Sequence, residues 1–260
     1  MRLDGRIAIV TGGAAGIGRA IALSLADNGA DVAIADIQQA KAESVAALIQ
    51  AKGRRSLAVY CDVSDSAQVE RMVARVLAEL GGLHILVNNA AIIAPGLFWE
   101  LSDADWDRII RTNLSSVFYC SRAAARAMIK QGQGGRIISM SSIHATLSEP
   151  NAGPYTAAKG GIEAFSRTMA TELAPHKILV NCVAPGATYS ELTTPMYTES
   201  VIKSLFERVP LKEIAQPEWI AAGVVFLASD DARYMTGQVL TMDGGYTMDG
   251  SLPGAKYWSD

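Results

Sequence analysis

Tyr155 and Lys159 stand four residues apart in the segment Y-T-A-A-K-G-G-I-E-A-F, and Ser142 precedes the tyrosine by 13 residues. In a helix, a spacing of four places the phenol and the amine on one face. A tyrosine has an ordinary pKa of about 10, which makes it a poor base near neutrality. A lysine ammonium within roughly 4–6 Å favours the phenolate, so we expect Lys159 to lower the pKa of Tyr155.

Such a pair would exchange a proton with a substrate hydroxyl while Ser142 positions the substrate oxygen. Proton removal of this kind accompanies hydride loss when a secondary alcohol is oxidised. Taken singly, the three residues also suit a surface tyrosine, a solvated lysine and a capping serine. Their combination therefore predicts an alcohol- or ketone-converting site more strongly than any one of them does.

A glycine-rich segment near the start of the chain predicts a phosphate-binding turn. Residues 11–18 read T-G-G-A-A-G-I-G, between the apolar run R-I-A-I-V and a segment with helical spacing. Glycines at such a junction permit positive φ and let backbone N–H groups approach a pyrophosphate at the positive end of a helix. The spacing G-x-x-x-G-x-G differs from the commoner G-x-G-x-x-G of dinucleotide sites. Alone, it also fits an ordinary strand–helix turn.

Asp36 indicates which dinucleotide would bind. It ends the second apolar run, 18 residues after Gly18. A carboxylate there accepts hydrogen bonds from the ribose hydroxyls of NAD and repels the 2′-phosphate of NADP. Ala14 and Ala15 bring no cation, and Ile37 follows where a basic residue would help bind NADP. The pattern favours NAD; the alternative interpretation is that Asp36 caps a helix.

The elements that must position these residues alternate along the chain. Short apolar runs predict seven strands, at Ile7–Val10, Val32–Ala35, Leu57–Tyr60, Ile85–Val87, Arg136–Met140, Ile178–Val183 and Gln238–Met242. Segments of helical length lie between them, at Arg19–Asn28, Ala40–Ala51, Ser66–Leu80, Ser102–Met128 (read as two helices) and Tyr155–Leu173. This alternation predicts an α/β fold, a Rossmann-type doubly wound parallel sheet with helices on both faces.

Residues 1–260 are expected to form one dinucleotide-binding and catalytic domain. Its longest irregular region, about residues 187–210, is interpreted as a substrate loop with one or two helices of its own. The alternative for this region is an ordinary helical excursion. A C-terminal tail follows at about residues 246–260.

The composition excludes several classes of function. The 260 residues carry a net charge of −3, half of them are hydrophobic, and the mean hydropathy is +0.18. This balance predicts no binding to nucleic acid or anionic membranes. No uncharged apolar stretch reaches the roughly 18 residues of a membrane helix. Because the first strand begins near residue 6, we expect no signal peptide, and a cytoplasmic enzyme is the simplest interpretation.

Cysteine usage predicts no metal centre and no disulfide framework. Cys61, Cys120 and Cys182 are odd in number and far apart in the chain. Their spacing matches neither paired disulfides nor zinc ligands. We therefore expect reduced packing residues and hydride transfer without a metal.

Ordered motifs along nearly the whole chain resemble the short-chain dehydrogenase/reductase family. They are T-G-G-A-A-G-I-G at 11–18, C-D-V at 61–63, N-N-A-A at 88–91, Asn113 in R-T-N-L, Ser142, Y-T-A-A-K at 155–159, A-P-G at 184–186 and M-D-G-G at 242–245. Two departures are visible: Ala91 stands where the family usually has glycine, and Ser190 where it often has threonine. Neither touches the residues that the resemblance assigns to catalysis.

The resemblance implies a binding site for the nicotinamide cofactor NAD. Its expected residues are Gly12, Ala15, Gly16, Ile17, Gly18, Asp36, Ile37, Asp62, Val63, Asn89, Ala90, Ala91, Tyr155, Lys159, Pro185, Gly186 and Thr188. Within this set, Asp62 and Val63 would contact the adenine, and Asn89 and Ala90 would flank the nicotinamide ribose. Pro185, Gly186 and Thr188 would hold the nicotinamide carboxamide.

The resemblance also implies a catalytic tetrad of Asn113, Ser142, Tyr155 and Lys159. Tyr155 would act as general base in alcohol oxidation and as acid in reduction. Lys159 would tune the phenol and bind the ribose hydroxyls, and Asn113 would hold a water that links Lys159 to solvent. The sequence thus predicts an NAD-dependent oxidoreductase acting on a secondary alcohol. The alternatives are a 3-oxoacyl-thioester reductase of the same family and, in another class, an NAD-binding sensor or scaffold without turnover.

Substrate contacts are expected from three loops and the tail. The candidates are Ile92, Ile93, Ser142, His144, Glu149, Asn151, Tyr155, Tyr189, Glu191 and Trp258. This polar mixture suits a small oxygen-rich alcohol or ketone such as a sugar, sugar acid or polyol. The alternative is a long apolar slot for acyl chains or steroids, because Ile92, Ile93, Met196 and Tyr197 are also expected nearby. His144 would either hydrogen-bond the substrate or hydrogen-bond the backbone of its own loop.

The family is commonly tetrameric, which predicts a homotetramer for this chain. The stretches Ala123–Ala127 and Ala157–Gly161 are expected to allow close approach between subunits. The apolar end of the tail, with Tyr257 and Trp258, is expected either to cross an interface and close a neighbour's pocket or to pack on its own subunit.

Overall fold

The computed structural model describes residues 1–249, whose strands form one parallel sheet in the order β3-β2-β1-β4-β5-β6-β7. The strands are β1 (Ile7–Thr11), β2 (Asp31–Asp36), β3 (Ser56–Tyr60), β4 (Ile85–Asn88), β5 (Gly135–Met140), β6 (Ile178–Pro185) and β7 (Val239–Met242). Each pair of neighbours is parallel. The predicted seven-stranded, doubly wound sheet is confirmed.

Helices cover both faces of this sheet. They are α1 (Gly16–Asp27), α2 (Gln39–Ala51), α3 (Ser66–Leu80), α4 (Asp103–Ile110), α5 (Ser116–Gln131), α6 (Gly153–Leu173), α7 (Glu199–Arg208) and α8 (Pro217–Ala228). The segment predicted as two helices over Ser102–Met128 is indeed divided into α4 and α5. They are joined without a loop by one π-helical turn, Arg111–Ser115.

Alternation along the strands explains why both faces are apolar. Successive strand side chains point to opposite sides of a sheet. In β1, Ala8 and Val10 pack in the layer that holds α1, α2 and α8, while Ile7 and Ile9 pack in the layer that holds α3, α5 and α6. Strands buried on both faces read as continuous apolar runs, which is the pattern of this sequence.

The chain reverses its winding between β1 and β4, which lie side by side at the centre of the sheet. Ligands of open α/β sheets bind in the crevice at the carboxyl ends of the strands beside such a reversal. The glycine-rich turn follows β1, and the N-N-A-A segment begins within β4. The topology therefore brings both motifs to one edge of the sheet.

Two elements differ from the sequence-based expectation. The alternating pattern predicted no helix after residue 210, but α8 lies there. This helix packs against both α1 and the sheet, so its residues are apolar on nearly every side and show no amphipathic period. The second difference concerns Ala123, Ala124 and Ala125, which were expected to face a neighbouring subunit. They are buried in their own chain, against the sheet.

The region predicted as a substrate loop, residues 187–210, contains a 3₁₀ turn, Thr194–Met196, followed by α7. Most of the predicted tail, including Tyr257 and Trp258, lies outside the described residues.

Cys61, Cys120 and Cys182 are buried free thiols. Within residues 1–249 no three histidine, cysteine, aspartate or glutamate side chains are grouped as a metal site requires. In the same range, no helix has the length and apolar character needed to cross a bilayer.

Candidate active site

A cleft of about 520 Å³ runs along the carboxyl ends of the central strands. Every residue predicted to contact the dinucleotide lines it. Of the predicted substrate residues, Ile92, Ile93, Ser142, Tyr155 and Glu191 also line it. Its size lies within the range of small-molecule and cofactor sites.

The glycine-rich turn forms a cradle that side chains would fill. Gly12 and Gly16 have φ of +61° and +51°, in the left-handed region that favours glycine. A Cβ on Gly12 would lie 2.8 Å from the Cα of Ala90, and a Cβ on Gly16 would lie 3.2 Å from the Cβ of Ser190. The N-cap residue of α1, Ala15, offers no side-chain hydrogen bond to the first turn. Backbone N–H groups at the start of α1 thus suit a pyrophosphate.

Hydrogen bonds from Thr11 and Asn89 join the ends of β1 and β4 beneath this cradle. The Thr11 hydroxyl accepts from the backbone nitrogens of Asn89 and Ala90, at 3.0 and 3.2 Å. The Asn89 amide donates to the carbonyls of Thr11 and Gly12, at 3.1 and 3.0 Å. Asn89, predicted as a cofactor contact, therefore also braces the turn.

Asp36 lies at the end of β2, with only 7% of its surface exposed. One carboxylate oxygen accepts from the backbone nitrogen of Ala14 at 3.0 Å, and the other from that of Gln38 at 2.9 Å. Because the residue also lines the cleft, its remaining lone pairs are available to a ligand hydroxyl. A structural role and a ligand-binding role are therefore combined in one carboxylate.

Glu191 stands at the cleft edge but is already paired. Its carboxylate lies 2.9 Å from the ammonium of Lys41 on α2, and both side chains are about half exposed. The pair joins α2 to the segment that follows β6. Lys41 is a basic residue five positions after Asp36 in the sequence, and its ammonium is engaged by Glu191.

Three predicted catalytic residues meet where β5 ends against α6. The Ser142 hydroxyl lies close enough to that of Tyr155 to lower the pKa of the phenol. The Lys159 ammonium is 5.5 Å from the centre of the Tyr155 ring and donates to the carbonyl of Met140 at 2.6 Å. Ser142 also accepts from the backbone nitrogen of His144 at 3.2 Å. The end of β5 and the first turns of α6 therefore place the Ser142 hydroxyl, the Tyr155 phenol and the Lys159 amine next to one another in that order.

The protein chain by itself does not lower the pKa of Tyr155, and the expected lowering by Lys159 together with the positive charge of a bound nicotinamide stays a prediction. Burial raises the pKa of Tyr155, the nearby Ser142 hydroxyl lowers it only in part, and the neighbouring Tyr197 adds to the rise. Lys159 is 4% exposed, and burial lowers its pKa to about 8. The two groups share a low-dielectric site, which disfavours the charged form of each.

This burial predicts a pH-dependent stability that Lys159 controls. Between its folded pKa of about 8 and its ordinary value of 10.5, the folded chain has released a proton that the unfolded chain keeps. Stability contributed by this group therefore rises with pH across that window. From pH ~7.5 to pH ~9.5 the contribution of Lys159 to the unfolding free energy should grow by about 2 kcal/mol. The buried thiols of Cys61, Cys120 and Cys182, whose pKa burial raises, lose stability over the same range in both proteins. The unfolding free energy of the wild-type protein minus that of Lys159→Met should therefore rise by about 2 kcal/mol across this range. Urea unfolding of both proteins at the two pH values measures it; an equal pH dependence in the two would contradict the assignment.

Asn113 lies in the π-helical turn and does not line the cleft. Its side-chain oxygen accepts from the backbone nitrogen of Ile92, and its amide donates to the Ile92 carbonyl, both at 2.9 Å. The side chain therefore fixes the segment after β4, next to Ile92 and Ile93. Its role in holding a water near Lys159 stays a prediction.

Four residues predicted to contact substrate are not on the cleft lining. His144 and Glu149 face one another, with 3.6 Å between Nε2 and the carboxylate. Asn151 takes a left-handed turn, φ +65°, and its carbonyl accepts from Gly96. The ring of Tyr189 packs edge-on against that of Tyr197, 5.6 Å between centres. These contacts give the four residues local roles in their loops, and Trp258 lies outside the described residues.

Several lining residues were not predicted, among them Gln38, Cys61, Thr112, Ser141, Leu192 and Thr193. Tyr197 was treated only as an apolar neighbour, yet its hydroxyl accepts from the nitrogen of Thr188 at 3.0 Å and approaches its carbonyl at 3.2 Å. Thr188 is thus already engaged by the loop that precedes α7. Sequence spacing carries no signal for these contacts because they join segments that only folding brings together.

Comparisons with known proteins agree with this arrangement. A family model described as enoyl-(acyl carrier protein) reductase matches residues 12–247. A short-chain dehydrogenase/reductase of Armillaria gallica is 42% identical over 258 residues, covering 95% of this chain and 97% of that protein. The 3-oxoacyl-[acyl-carrier-protein] reductase FabG of Escherichia coli (strain K12) is 39% identical over 248 residues, covering 95% and 100%.

Solved structures show the same similarity. A 7α-hydroxysteroid dehydrogenase complexed with NADH and 7-oxo glycochenodeoxycholic acid is 34% identical, with a TM-score of 0.91 and coverage of 94% and 95%. A gluconate 5-dehydrogenase from Burkholderia cenocepacia, in complex with NADP and tartrate, is 34% identical, with a TM-score of 0.91 and coverage of 95% and 97%. The similarity thus extends over nearly the whole chain.

Proposed function

We propose that this chain, which belongs to the short-chain dehydrogenase/reductase family, transfers hydride between a secondary alcohol and NAD. The observation that carries the proposal is the meeting of Ser142, Tyr155 and Lys159 at the inner end of the cleft. When bound, the oxidised dinucleotide would supply the hydride acceptor and a positive charge. That charge favours the phenolate of Tyr155, which burial otherwise opposes.

Each of the three residues would have its own role in the reaction. Tyr155 removes the hydroxyl proton from the alcohol, or returns it to a ketone in reduction. Ser142 lies next to Tyr155 in the site and would hold the substrate oxygen beside the phenol. Lys159, anchored on the Met140 carbonyl, would reach the ribose hydroxyls from the same face of α6. This division of roles rests on the geometry and on the family resemblance together.

NAD rather than NADP is proposed from the position of Asp36. Its buried carboxylate lines the cleft at the end of β2, where a 2′-phosphate would meet a negative charge. The solved relatives carry either cofactor: NADH in the hydroxysteroid dehydrogenase and NADP in the gluconate 5-dehydrogenase. The preference of this chain therefore depends on its own residue at this position.

For the substrate we propose a small oxygen-rich alcohol such as a sugar, sugar acid or polyol. The hydroxyls of Ser142, Tyr155 and Thr193 on the lining support this class, as does the similarity to a gluconate 5-dehydrogenase. A second candidate, reduction of a 3-oxoacyl thioester, is favoured by the apolar Ile92, Ile93 and Leu192 on the same lining and by the similarity to FabG. A sensor without turnover is disfavoured by the assembled serine, tyrosine and lysine.

A homotetramer remains our proposal for the assembly. It is supported by exposed apolar side chains on α5, where Phe118 is 42% and Ile129 40% exposed. The Phe118 ring also contacts Phe165 of α6, so the apolar surface continues across both helices. Light scattering of the purified protein measures the mass of the assembly.

The test of function is a panel of sugars, sugar acids, polyols, hydroxy acids and simple secondary alcohols, each assayed with NAD and with NADP. Reduction of an acyl thioester is measured beside it with NADH and NADPH. We expect NADH formation with an oxygen-rich alcohol and a kcat/KM for NAD at least about tenfold above that for NADP, about 1.4 kcal/mol. Turnover of the thioester with NADPH, and of no alcohol with NAD, would instead establish the second candidate.

A further inference from the structure

Three consecutive residues at the end of β5 are each held by α6. The carbonyl of Met140 accepts from Lys159 at 2.6 Å, and the hydroxyl of Ser141 donates to a carboxylate oxygen of Glu163 at 2.6 Å. The hydroxyl of Ser142 lies close enough to that of Tyr155 to lower the pKa of the phenol. On the helix, the three partners are spaced by four, so they share one face. Strand end and helix therefore meet along a short row of three contacts.

The contact between Ser141 and Glu163 has no part in the proposed proton exchange. Ser141 is 4% exposed, and Glu163 is half-buried. A short hydrogen bond from a hydroxyl to a carboxylate is among the stronger kinds in proteins. The backbone nitrogen of Ser141 also donates to the Val183 carbonyl at 2.7 Å, which ties the same residue to β6. Ser141 is thereby held from two sides.

The segment that joins Ser142 to α6 is irregular. Residues 143–152 join Ser142 to α6 through a 3₁₀ turn, Ile143–Ala145, and the left-handed Asn151. Catalytic geometry is sensitive to displacements of about 1 Å. Two of the three contacts involve Lys159 and Tyr155, which must also bind the cofactor or the substrate. The contact between Ser141 and Glu163 has no such second task, so it can hold the strand end against α6 throughout the reaction.

We propose that Glu163 is a positioning residue that, through the hydroxyl of Ser141, holds Ser142 at its working distance from Tyr155 and Lys159. The role rests on the proposed hydride-transfer function. Glu163 acts through another residue and touches no reacting atom, so its loss should lower kcat more than it changes KM. The hydrogen bond, rather than the negative charge, carries the effect.

The test compares Glu163→Ala, Glu163→Gln, Ser141→Ala and the double variant Ser141→Ala/Glu163→Ala. Glu163→Ala should lower kcat up to about tenfold, the size expected for the loss of one hydrogen bond. Glu163→Gln keeps an acceptor oxygen, so its kcat should stay within about threefold of the wild-type value. The double variant should be no worse than the more damaged single variant, since both remove one contact. Glu172→Ala, an exposed glutamate on the same helix, is the matched control and should leave kcat unchanged.

Hydrogen exchange without substrate provides a readout independent of turnover. Peptides covering residues 141–147 should exchange faster in Glu163→Ala and at the unmodified rate in Glu163→Gln and Glu172→Ala. The proposal is overturned if Glu163→Ala changes neither kcat nor exchange, if the two alanine effects simply add, or if Glu163→Gln is as damaged as Glu163→Ala. If the unmodified protein turns over no substrate, the proposed function fails, and the exchange data alone decide the role of Glu163.

Discussion

Replacing Tyr155 with phenylalanine is expected to lower kcat by about a thousandfold or more, the upper part of the range for a lost general acid–base. Phenylalanine keeps the ring that packs 5.5 Å from the Lys159 ammonium and removes only the hydroxyl that lies near Ser142. The cleft wall therefore keeps its shape while the proton-exchanging atom is lost. Steady-state kinetics with the substrate identified by the panel measure the effect.

The binding control for this variant is fluorescence titration with NADH. The dissociation constant should stay within about threefold of the unmodified value, or about 0.7 kcal/mol. A loss of turnover with intact binding separates catalysis from folding. A variant that retains a tenth or more of the unmodified kcat would show that another group exchanges the proton.

Replacing Gly18 with alanine should have the largest effect on dinucleotide binding. A Cβ at this position would overlap the carbonyl oxygen of Gly12 and lie 2.5 Å from the amide nitrogen of Asn89. Both atoms belong to the brace between β1 and β4, so the start of α1 must move away from the turn. We expect the NADH dissociation constant to rise about a hundredfold or more, near 2.7 kcal/mol, with a lowered Tm.

Gly153→Ala is the matched control, a glycine-to-alanine change at the first residue of α6. Its Cβ would lie 3.9 Å from the Cβ of Phe98, an ordinary contact. Alanine loses less backbone freedom on folding than glycine, so this variant should be at least as stable as the wild-type protein. Calorimetry and NADH titration compare the two. A Gly18→Ala variant that folds normally and binds NADH within about threefold of the unmodified value would contradict the close fit described for the turn.

The fold was predictable because its signals are local. Each strand of a doubly wound sheet is buried on both faces and reads as an apolar run, and each glycine at a helix end marks a boundary. Where burial removed the periodicity, prediction failed: α8 is apolar on nearly every side and was not recognised as a helix. The π-helical turn at Arg111–Ser115 was also invisible, because its residues fit the pattern of an ordinary helix.

The residues of the candidate site also differ in how far local sequence patterns predict their positions. Motif residues such as Gly12, Asp36 and Asn89 reach the cleft because strand order alone brings the carboxyl ends of parallel strands to one edge. Loop residues do not follow from strand order. His144, Glu149, Asn151 and Tyr189 do not line the cleft and contact neighbouring side chains or backbone, so their contact with a substrate stays a prediction.

The sequence by itself determined the α/β architecture, the glycine turn for a pyrophosphate and the serine, tyrosine and lysine that meet beside it. These depend on period, spacing and residue type, which are properties of short segments. Only the tertiary structure decided that burial raises the pKa of Tyr155, that Lys159 rests on the Met140 carbonyl, and that Glu163 holds Ser141. Desolvation and contacts between distant segments arise when the chain packs, so no local pattern encodes them.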